Sequence, residues 1–246
     1  MNPDNIDIVL VHTTHSGNIG GVARAMKNMG LTRLTLVAPQ GYPAPEATWR
    51  AASAVDVMEN ARVVDTLEEA IAGCQFVVGT SARERRIPWP VQDARRCAER
   101  IAAHSGSERV AILFGREDRG LLNEELQRCN LHCHIPTHEG YQSLNLAMAV
   151  QIVAYECRMM QLEDRTDLPE DAEWDTPFAT ADDMTRFYAH LEETLVDIEF
   201  LNPQAPRQLM RRLKRLYNRV RLDEMELNIL RGILTETQKT AGRRSD

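Results

Sequence analysis

Two segments of the sequence carry polar side chains whose types and spacing could act on a ligand. In residues 16–24, a glycine-rich turn, Asn18 and Arg24 lie six residues apart, within two helical turns, so both could address one site. The turn has neither the G-x-G-x-x-G register nor a following Gly-Lys-Ser/Thr, so it supports no dinucleotide fingerprint and no P-loop. In residues 114–121, Gly115 and Gly120 bracket four charged residues, among them Glu117. For both segments a ligand contact and ordinary packing or capping of a helix remain open.

A third segment, residues 141–147, places Ser143 and Asn145 directly before a long apolar stretch. Small polar groups at this place could serve a site or could simply cap a helix. The densest group of possible metal ligands, residues 129–134, holds two cysteines and two histidines but lacks a second ligand pair at zinc spacing. We therefore predict no metal, and we predict that the five scattered cysteines are reduced, buried thiols.

The elements that must position these residues follow an alternating pattern. Short apolar segments predict strands at residues 6–11, 34–38, 76–79, 110–115 and 133–136, with helices at 19–29, 66–72 and 93–104 between them. This order predicts an α/β fold with a mostly parallel sheet covered on both faces. Ligands bind beyond the carboxyl ends of such strands, so the turns at 13–17, 80–82 and 115–120 are the expected site.

The composition changes in the last third of the chain. A helix predicted at residues 145–160 is apolar on nearly every side and is expected to be deeply buried. Residues 161–183 hold nine acids and one base, which predicts a charged linker. Three more helices are predicted near residues 182–198, 206–221 and 223–239. The predicted domains are 1–160 (α/β), 161–181 (acidic linker) and 182–246 (helical, with a loose tail).

Charge is unevenly distributed along this 246-residue chain of net charge −7, in which 43% of residues are hydrophobic. Residues 202–222 hold seven bases and no acid, and Leu209, Leu213, Leu216 and Val220 recur at spacings of 4, 3 and 4. The pattern predicts a helix with one apolar stripe, suited to RNA, a partner or a membrane surface, or simply solvated. No segment reaches the roughly 20 apolar residues of a membrane span, and residues 1–7 lack the bases of a secretory signal. We expect a cytoplasmic protein that contacts no membrane.

The three polar segments, taken in order, resemble the SPOUT methyltransferases. The shared pattern is Asn-x-x-Gly-x-x-Arg, then Phe-Gly-x-Glu-x-x-Gly-Leu, then Ser-Leu-Asn before an apolar helix, over about residues 5–160. Residues 80–83, 88–90, 123–126 and 226–232 are similar to the TrmJ branch, which extends the resemblance to nearly the whole chain. Ala147 departs from the wider family, in which many members have Ser at this position.

This resemblance implies a fold, a reaction and site residues. The fold would contain a deep C-terminal trefoil knot, and the protein would act as a homodimer. The cofactor, S-adenosylmethionine, would lie against Thr80, Ser81, Ala82, Gly115, Ile135, Gln142, Ser143 and Leu144. The positions matching the family's catalytic centre are Asn18, Arg24, Glu117, Ser143 and Asn145. Arg24 is expected to hold a phosphate beside the target ribose, because a guanidinium is a poor base, although family proposals assign it that role.

The expected reaction is methylation of the ribose 2′-hydroxyl of cytidine or uridine 32 in the tRNA anticodon loop. RNA is expected to contact two basic groups, one after the third predicted strand and one in the basic helix: Arg83, Arg85, Arg86, Arg207, Arg211, Arg212 and Arg215. Methylation of another tRNA or rRNA nucleotide, and RNA binding without catalysis, remain the alternatives.

Overall fold

The computed structural model describes residues 1–81, 90–162 and 176–242. Within them one sheet is formed by β1 (Ile6–Val11), β2 (Arg33–Val37), β3 (Arg62–Val64), β4 (Phe76–Thr80), β5 (Val91–Asp93), β6 (Val110–Phe114) and β7 (Leu131–His134). The strand order is β3-β2-β1-β6-β4-β7-β5, and all neighbouring strands run parallel. The predicted parallel α/β fold is confirmed. The edge strands β3 and β5 were not predicted, and β7 begins two residues before its predicted start.

Helices cover both faces of the sheet. They are α1 (Ser16–Asn28), α2 (Pro45–Ala51), α3 (Val55–Glu59), α4 (Leu67–Ile71), α5 (Ala94–Ser105), α6 (Asn123–Leu126) and α7 (Leu146–Leu162). Successive side chains of a strand point to opposite faces, so in β1 Ile8 and Leu10 belong to one core and Val9 and Val11 to the other. Residues of α1, α2, α3, α5 and α7 fill the first core, and those of α4 and α6 fill the second.

The glycine-rich turn begins α1 and allows close contact with α2. A Cβ atom on Gly20 would lie 2.0 Å from the carbonyl oxygen of Ala47, which no side chain could tolerate. Gly20 therefore serves helix packing, one of the two interpretations that the sequence left open.

The expectation that the long apolar helix is deeply buried is wrong for one of its faces. Val150, Val153 and Ala154 of α7 are buried, but Met148 is 61% exposed and Tyr155 is 49% exposed. The reason is that α7 packs against α1 and α5 on one side, while Met148 and Tyr155 lie on its exposed side.

Three helices, α8 (Ala181–Asp197), α9 (Leu209–Val220) and α10 (Glu224–Gly242), share a separate core around Phe187, Leu191 and Leu227. The predicted helix start is confirmed in α10, where the Glu226 amide donates to Asp223 Oδ1 at 2.6 Å and the Asp223 amide donates to Glu226 Oε2 at 3.0 Å.

The predicted apolar stripe of the basic helix is wrong at Leu216 and Val220. Met210, Leu213 and Tyr217 face the core of the helical region, whereas Leu216 is 41% exposed and Val220 is 55% exposed. The Tyr217 ring meets the Phe187 ring edge-on at 4.9 Å, and this contact sets the rotation of α9.

The helical region rests on the α/β region through Arg221, which directly follows α9. Its guanidinium forms an ion pair with Glu108, donates to His104 Nδ1 at 2.9 Å and lies 3.9 Å from the centre of the Phe178 ring. Arg221 is one of the seven bases of residues 202–222. Because its side chain contacts other residues of the protein, it is not part of the exposed basic surface. In the described ranges, no helix is long and apolar enough to cross a membrane.

Candidate active site

A pocket of about 260 Å³ opens where β4, β6 and β7 end, because the carboxyl ends of parallel strands meet at one edge of the sheet. Seven of the eight residues predicted to contact a cofactor lie in its walls: Thr80, Ser81, Gly115, Ile135, Gln142, Ser143 and Leu144. The eighth, Ala82, lies outside the described residues. Three distant segments of the chain therefore meet at the predicted place.

One wall of the pocket is a tight hairpin, residues 115–121, that follows β6. Arg116 and Gly120 exchange two backbone hydrogen bonds of 3.3 and 2.8 Å. A Cβ atom on Gly115 would lie 2.1 Å from the Leu121 amide nitrogen, so only glycine fits there. The glycine spacing noted in the sequence thus creates the hairpin that carries Glu117.

The opposite wall is fixed by bonds between the ends of the strands. The Thr80 hydroxyl donates to the Leu113 carbonyl at 2.9 Å, and the Ser81 amide donates to the Cys133 carbonyl at 2.9 Å. His134 Nδ1 lies 3.0 Å from the Ser81 carbonyl oxygen. These bonds give the strand ends a defined geometry before any ligand binds.

Beside the pocket, Glu117 joins the turn after β1 to the turn after β6. Its Oε1 atom accepts from Asn18 Nδ2 at 2.8 Å and from the His15 amide at 3.3 Å. Its Oε2 atom accepts from the Thr14 hydroxyl at 2.9 Å and the Thr14 amide at 3.1 Å. Four donors therefore surround one carboxylate.

These donors set the ionisation of Glu117. Partial burial raises the pKa of its carboxyl, but hydrogen bonds from Asn18 and Thr14 outweigh burial and hold the pKa below its usual range. Glu117 is therefore an anion near neutral pH. Since its oxygens are already occupied by donors, it is suited to orienting Asn18 rather than to accepting a proton from a substrate.

Asn145 extends this network to the start of α7. Its Nδ2 atom donates to Asn18 Oδ1 at 3.0 Å, and its Oδ1 atom accepts from the Ala147 amide at 2.9 Å. The capping interpretation of the third segment is thus correct, and the same side chain also reaches the predicted catalytic group. Ser143, two residues earlier, lies in the pocket wall, and in the described part of the chain its hydroxyl makes no hydrogen bond.

Arg24 does not join this group. It lies exposed on α1, and among the residues that the structure describes it makes no ion pair or hydrogen bond. Six helical residues rotate a side chain by about 240° relative to the first, so Asn18 points inward while Arg24 points outward. The described residues of one chain thus do not bring Arg24 together with Asn18, and the expected role of Arg24 at the site stays a prediction.

The pocket has the chemistry that S-adenosylmethionine requires. Ile135, Leu144 and Leu146 offer an apolar wall for an adenine ring, and the Ser143 hydroxyl offers a polar group. The hairpin adds backbone amides and carbonyls around the same space. The residues present therefore fit this cofactor.

The predicted RNA contacts fall in two places. Arg83, Arg85 and Arg86 lie outside the described residues. Arg207 and Arg212 are exposed, and Arg211 and Arg215 are partly buried, on or just before α9.

The Cys and His group of residues 129–134 serves the protein interior. Cys129 and Cys133 are buried, and His132 Nε2 lies 2.9 Å from the Leu126 carbonyl oxygen. All five cysteines are buried, free thiols. No group of three or more His, Cys, Asp or Glu that could hold a metal ion occurs in the described ranges.

Sequence reasoning missed Thr14, Arg116 and Glu125. Thr14 supplies two of the four donors to Glu117, and Arg116 lines the pocket while pairing with Glu125. Thr14 could have been found from its place in the turn after β1. The Arg116–Glu125 pair could not, because nothing in the spacing of two charged residues tells an internal ion pair from two solvated side chains.

Comparison with known proteins gives matches along nearly all of the chain. The model of the SpoU rRNA methylase family matches residues 5–155, and that of the tRNA methyltransferase TrmJ C-terminal domain matches residues 182–246. A TrmJ tRNA (cytidine/uridine/adenosine-2′-O-)-methyltransferase of Pseudomonas aeruginosa is 54% identical, over 97% of this chain and 95% of that protein. The Escherichia coli K12 tRNA (cytidine/uridine-2′-O-)-methyltransferase TrmJ is 51% identical, over 96% of each chain.

Solved structures give the same grouping. The crystal structure of TrmJ from Z. mobilis ZM4 superimposes with a TM-score of 0.81 at 33% identity, covering 94% of this chain and 97% of that one. An AdoMet-bound rRNA methyltransferase from Sinorhizobium meliloti has a TM-score of 0.52 at 26% identity, over 64% of this chain and 57% of that one. A solved structure that concerns the 2-OH methylation of C/U34 on tRNA has a TM-score of 0.53 at 27% identity, over 65% of this chain and 99% of that one.

Proposed function

Because the chain belongs to the SpoU methylase family and, within it, to the TrmJ tRNA methyltransferases, we propose that it methylates the ribose 2′-hydroxyl of cytidine or uridine 32 in the tRNA anticodon loop, with S-adenosylmethionine as methyl donor. The observation that carries this proposal is that two of the three polar segments line one pocket and the third is hydrogen-bonded to both of them beside it. There the bonds of Glu117 to Asn18 and of Asn18 to Asn145 link two of the turns to the start of α7.

The residues of the chain have separate tasks in this reaction. The bound cofactor supplies the electrophilic methyl group. The pocket walls hold it, and the Ser143 hydroxyl is available to bind the cofactor or the incoming ribose. The Glu117, Asn18 and Asn145 side chains form a fixed polar surface that orients the reacting groups without reorganisation.

The test is to incubate the purified protein with S-adenosylmethionine and unmodified tRNA transcripts, and to locate ribose methylation by nuclease digestion and mass spectrometry. Methylation at position 32, absent in an Asn145→Ala variant, is the expected result. Cofactor binding without methylation of any RNA would instead favour the non-catalytic alternative.

A different target nucleotide is the second candidate. A structural relative is described by methylation of C/U34, and the matching family model is that of rRNA methylases. The pocket residues define the reaction centre, whereas target choice depends on surfaces remote from it. Methylation mapped to another position would keep the reaction and replace the target.

We also propose that the protein is a homodimer that uses the exposed face of α7. Met148 and Tyr155 form an apolar surface there, and α1 packs closely beside α7, with Gly21 against Ala147. Arg24 lies about one turn after Gly21 and is exposed, so it could reach a phosphate bound at a second copy.

The tRNA would contact the basic surface of α9 and, beside the reaction, Arg83, Arg85 and Arg86, which follow the cofactor turn in sequence. A cytoplasmic location agrees with a tRNA substrate. The proposed domain limits at residues 160 and 182 are supported by the two family matches, of which the first ends at residue 155 and the second begins at residue 182.

A further inference from the structure

Glu125 lies on α6, behind the hairpin that forms one wall of the pocket. We propose that Glu125 is a positioning residue: it fixes both ends of the hairpin and thereby sets the place of Glu117 and the shape of the cofactor pocket. This inference deepens the proposed function and rests on it.

The first end of the hairpin is held by an ion pair. Arg116 Nη1 donates to Glu125 Oε2 at 3.1 Å, and Arg116 Nη2 donates to Oε1 at 3.0 Å. The Arg116 side chain is 16% exposed and that of Glu125 is 11% exposed. A bidentate contact of this kind fixes the direction of the Arg116 side chain as well as its distance from Glu125. Removal of either partner leaves the charge of the other unpaired and largely shielded from water.

The second end is held by the same carboxylate. The Leu122 amide donates to Glu125 Oε2 at 2.6 Å, at the start of α6. One side chain therefore ties residue 116 to residue 122, and every residue between them belongs to the pocket hairpin. Among those residues, Asp118 and Arg119 form an exposed contact with each other, which is a weak restraint.

The consequence reaches the reacting groups through Glu117, which directly follows Arg116. Its carboxylate must stay within hydrogen-bond distance of Asn18 and Thr14, and a shift of about 1 Å in such a group can cost up to a hundredfold in rate. Glu125 thus acts on the reaction without touching substrate or cofactor.

The test compares Glu125→Gln with Glu124→Gln, a matched change at the exposed neighbouring residue. We expect Glu125→Gln to weaken S-adenosylmethionine binding about tenfold and to lower kcat, because the amide lacks the charge that Arg116 requires and has one acceptor oxygen instead of two. Glu124→Gln should stay within about twofold of the wild type in both. The KM for tRNA should change little in either variant.

A double-mutant cycle tests whether the two residues act together. If they do, the cofactor Kd of Arg116→Gln combined with Glu125→Gln is no weaker than that of the worse single variant. If the weakening of cofactor binding in the double variant equalled the product of the two single effects, a joint role of Arg116 and Glu125 would be contradicted. Arg116→Lys keeps the charge and should retain part of the affinity, and it serves as the second variant if Glu125→Gln does not fold.

Amide hydrogen exchange of residues 115–122, measured without cofactor, gives a readout independent of activity. Exchange in Glu125→Gln should be about tenfold faster than in Glu124→Gln. Equal exchange and equal cofactor Kd in these two variants would overturn the proposal. If the wild-type protein bound no S-adenosylmethionine, the proposed function would fail, while the exchange comparison would still decide the role of Glu125 in the hairpin.

Discussion

At the scale of single residues, Glu117 shows how surroundings decide a role. Carboxylates in active sites often accept protons, but this one already accepts four hydrogen bonds from Thr14, His15 and Asn18. We predict that Glu117→Gln lowers kcat by about ten- to a hundredfold, because the new amide group would face donors instead of offering them an acceptor. Single-turnover methylation with saturating cofactor measures this directly.

The matched control is Glu124→Gln, the same change at an exposed glutamate outside the pocket lining. It should leave kcat within about twofold of the wild type. Equal rates for the Glu117 and Glu124 variants would show that the network does not orient the reacting groups. The pKa of Glu117 lies below its usual value near 4.5, so its contribution to stability is present above that pH and is lost only as pH falls through the lower, folded-state pKa.

At the scale of elements, the rotation of α9 decides which bases can meet RNA. Arg212 is exposed, whereas Arg221 is held by Glu108. We predict that Arg212→Gln weakens tRNA binding and reduces the slope of log K against log salt by roughly one unit, as for one lost phosphate contact. Fluorescence titrations at several salt concentrations give this slope.

Arg158→Gln on α7 is the control with the same loss of charge, and its exposed side chain lies outside the proposed RNA surface. Its salt slope should equal that of the wild type. If a variant lacking Arg211, Arg212 and Arg215 also kept the wild-type slope, the RNA surface would have to lie elsewhere on the protein.

The elements that sequence predicts best here are those with a strong internal pattern. The strands that cross the core, such as β1 and β6, were found within one residue, because unbroken apolar runs have few other uses. The three-residue edge strands β3 and β5 were missed, since they gain most of their definition from a neighbour. The faces of α7 and α9 were misjudged because their sequences are compatible with more than one rotation. Threading of the chain through a knot leaves no periodic signal and stays a prediction from resemblance.

The site divides in the same way. A glycine that permits the hairpin, Gly115, and a polar residue at the start of an apolar helix, Asn145, are visible in the sequence because few other roles demand them. Contacts that depend on distant parts of the chain, such as Arg116 with Glu125, become evident only when the fold is known.

At the scale of the whole molecule, the exposed face of α7 carries apolar side chains that a second copy of the chain would cover. We predict that Tyr155→Glu converts the protein to a monomer, because a charge at the centre of an apolar interface is costly to bury. Sedimentation velocity at micromolar concentration measures the change. Trp49→Glu places the same charge on another exposed aromatic residue, on α2, and should leave the dimer intact. A wild-type protein that sediments as a monomer would contradict the proposed assembly.

The joint between the α/β and helical regions should make stability depend on pH. Burial, together with the charges of Arg221 and Arg100, lowers the pKa of His104 from 6.5 to about 3. Unfolded His104 takes up a proton below about pH 6.5, whereas folded His104 stays neutral until about pH 3, so its contribution to stability is full above pH 6.5 and declines as pH falls through this window.

Between pH 7 and pH 5, this single group should lower the free energy of unfolding by about 2 kcal/mol. Urea unfolding at the two pH values measures this decrease. The His104→Gln variant should lack the contribution of His104 to the decrease. It should also be less stable than the wild type at pH 7, because Arg221 and Glu108 lose a contact partner. His138→Gln, at an exposed histidine, should keep the wild-type dependence. If the His104 and His138 variants respond alike, the joint is not held by a neutral imidazole between Arg221 and Glu108.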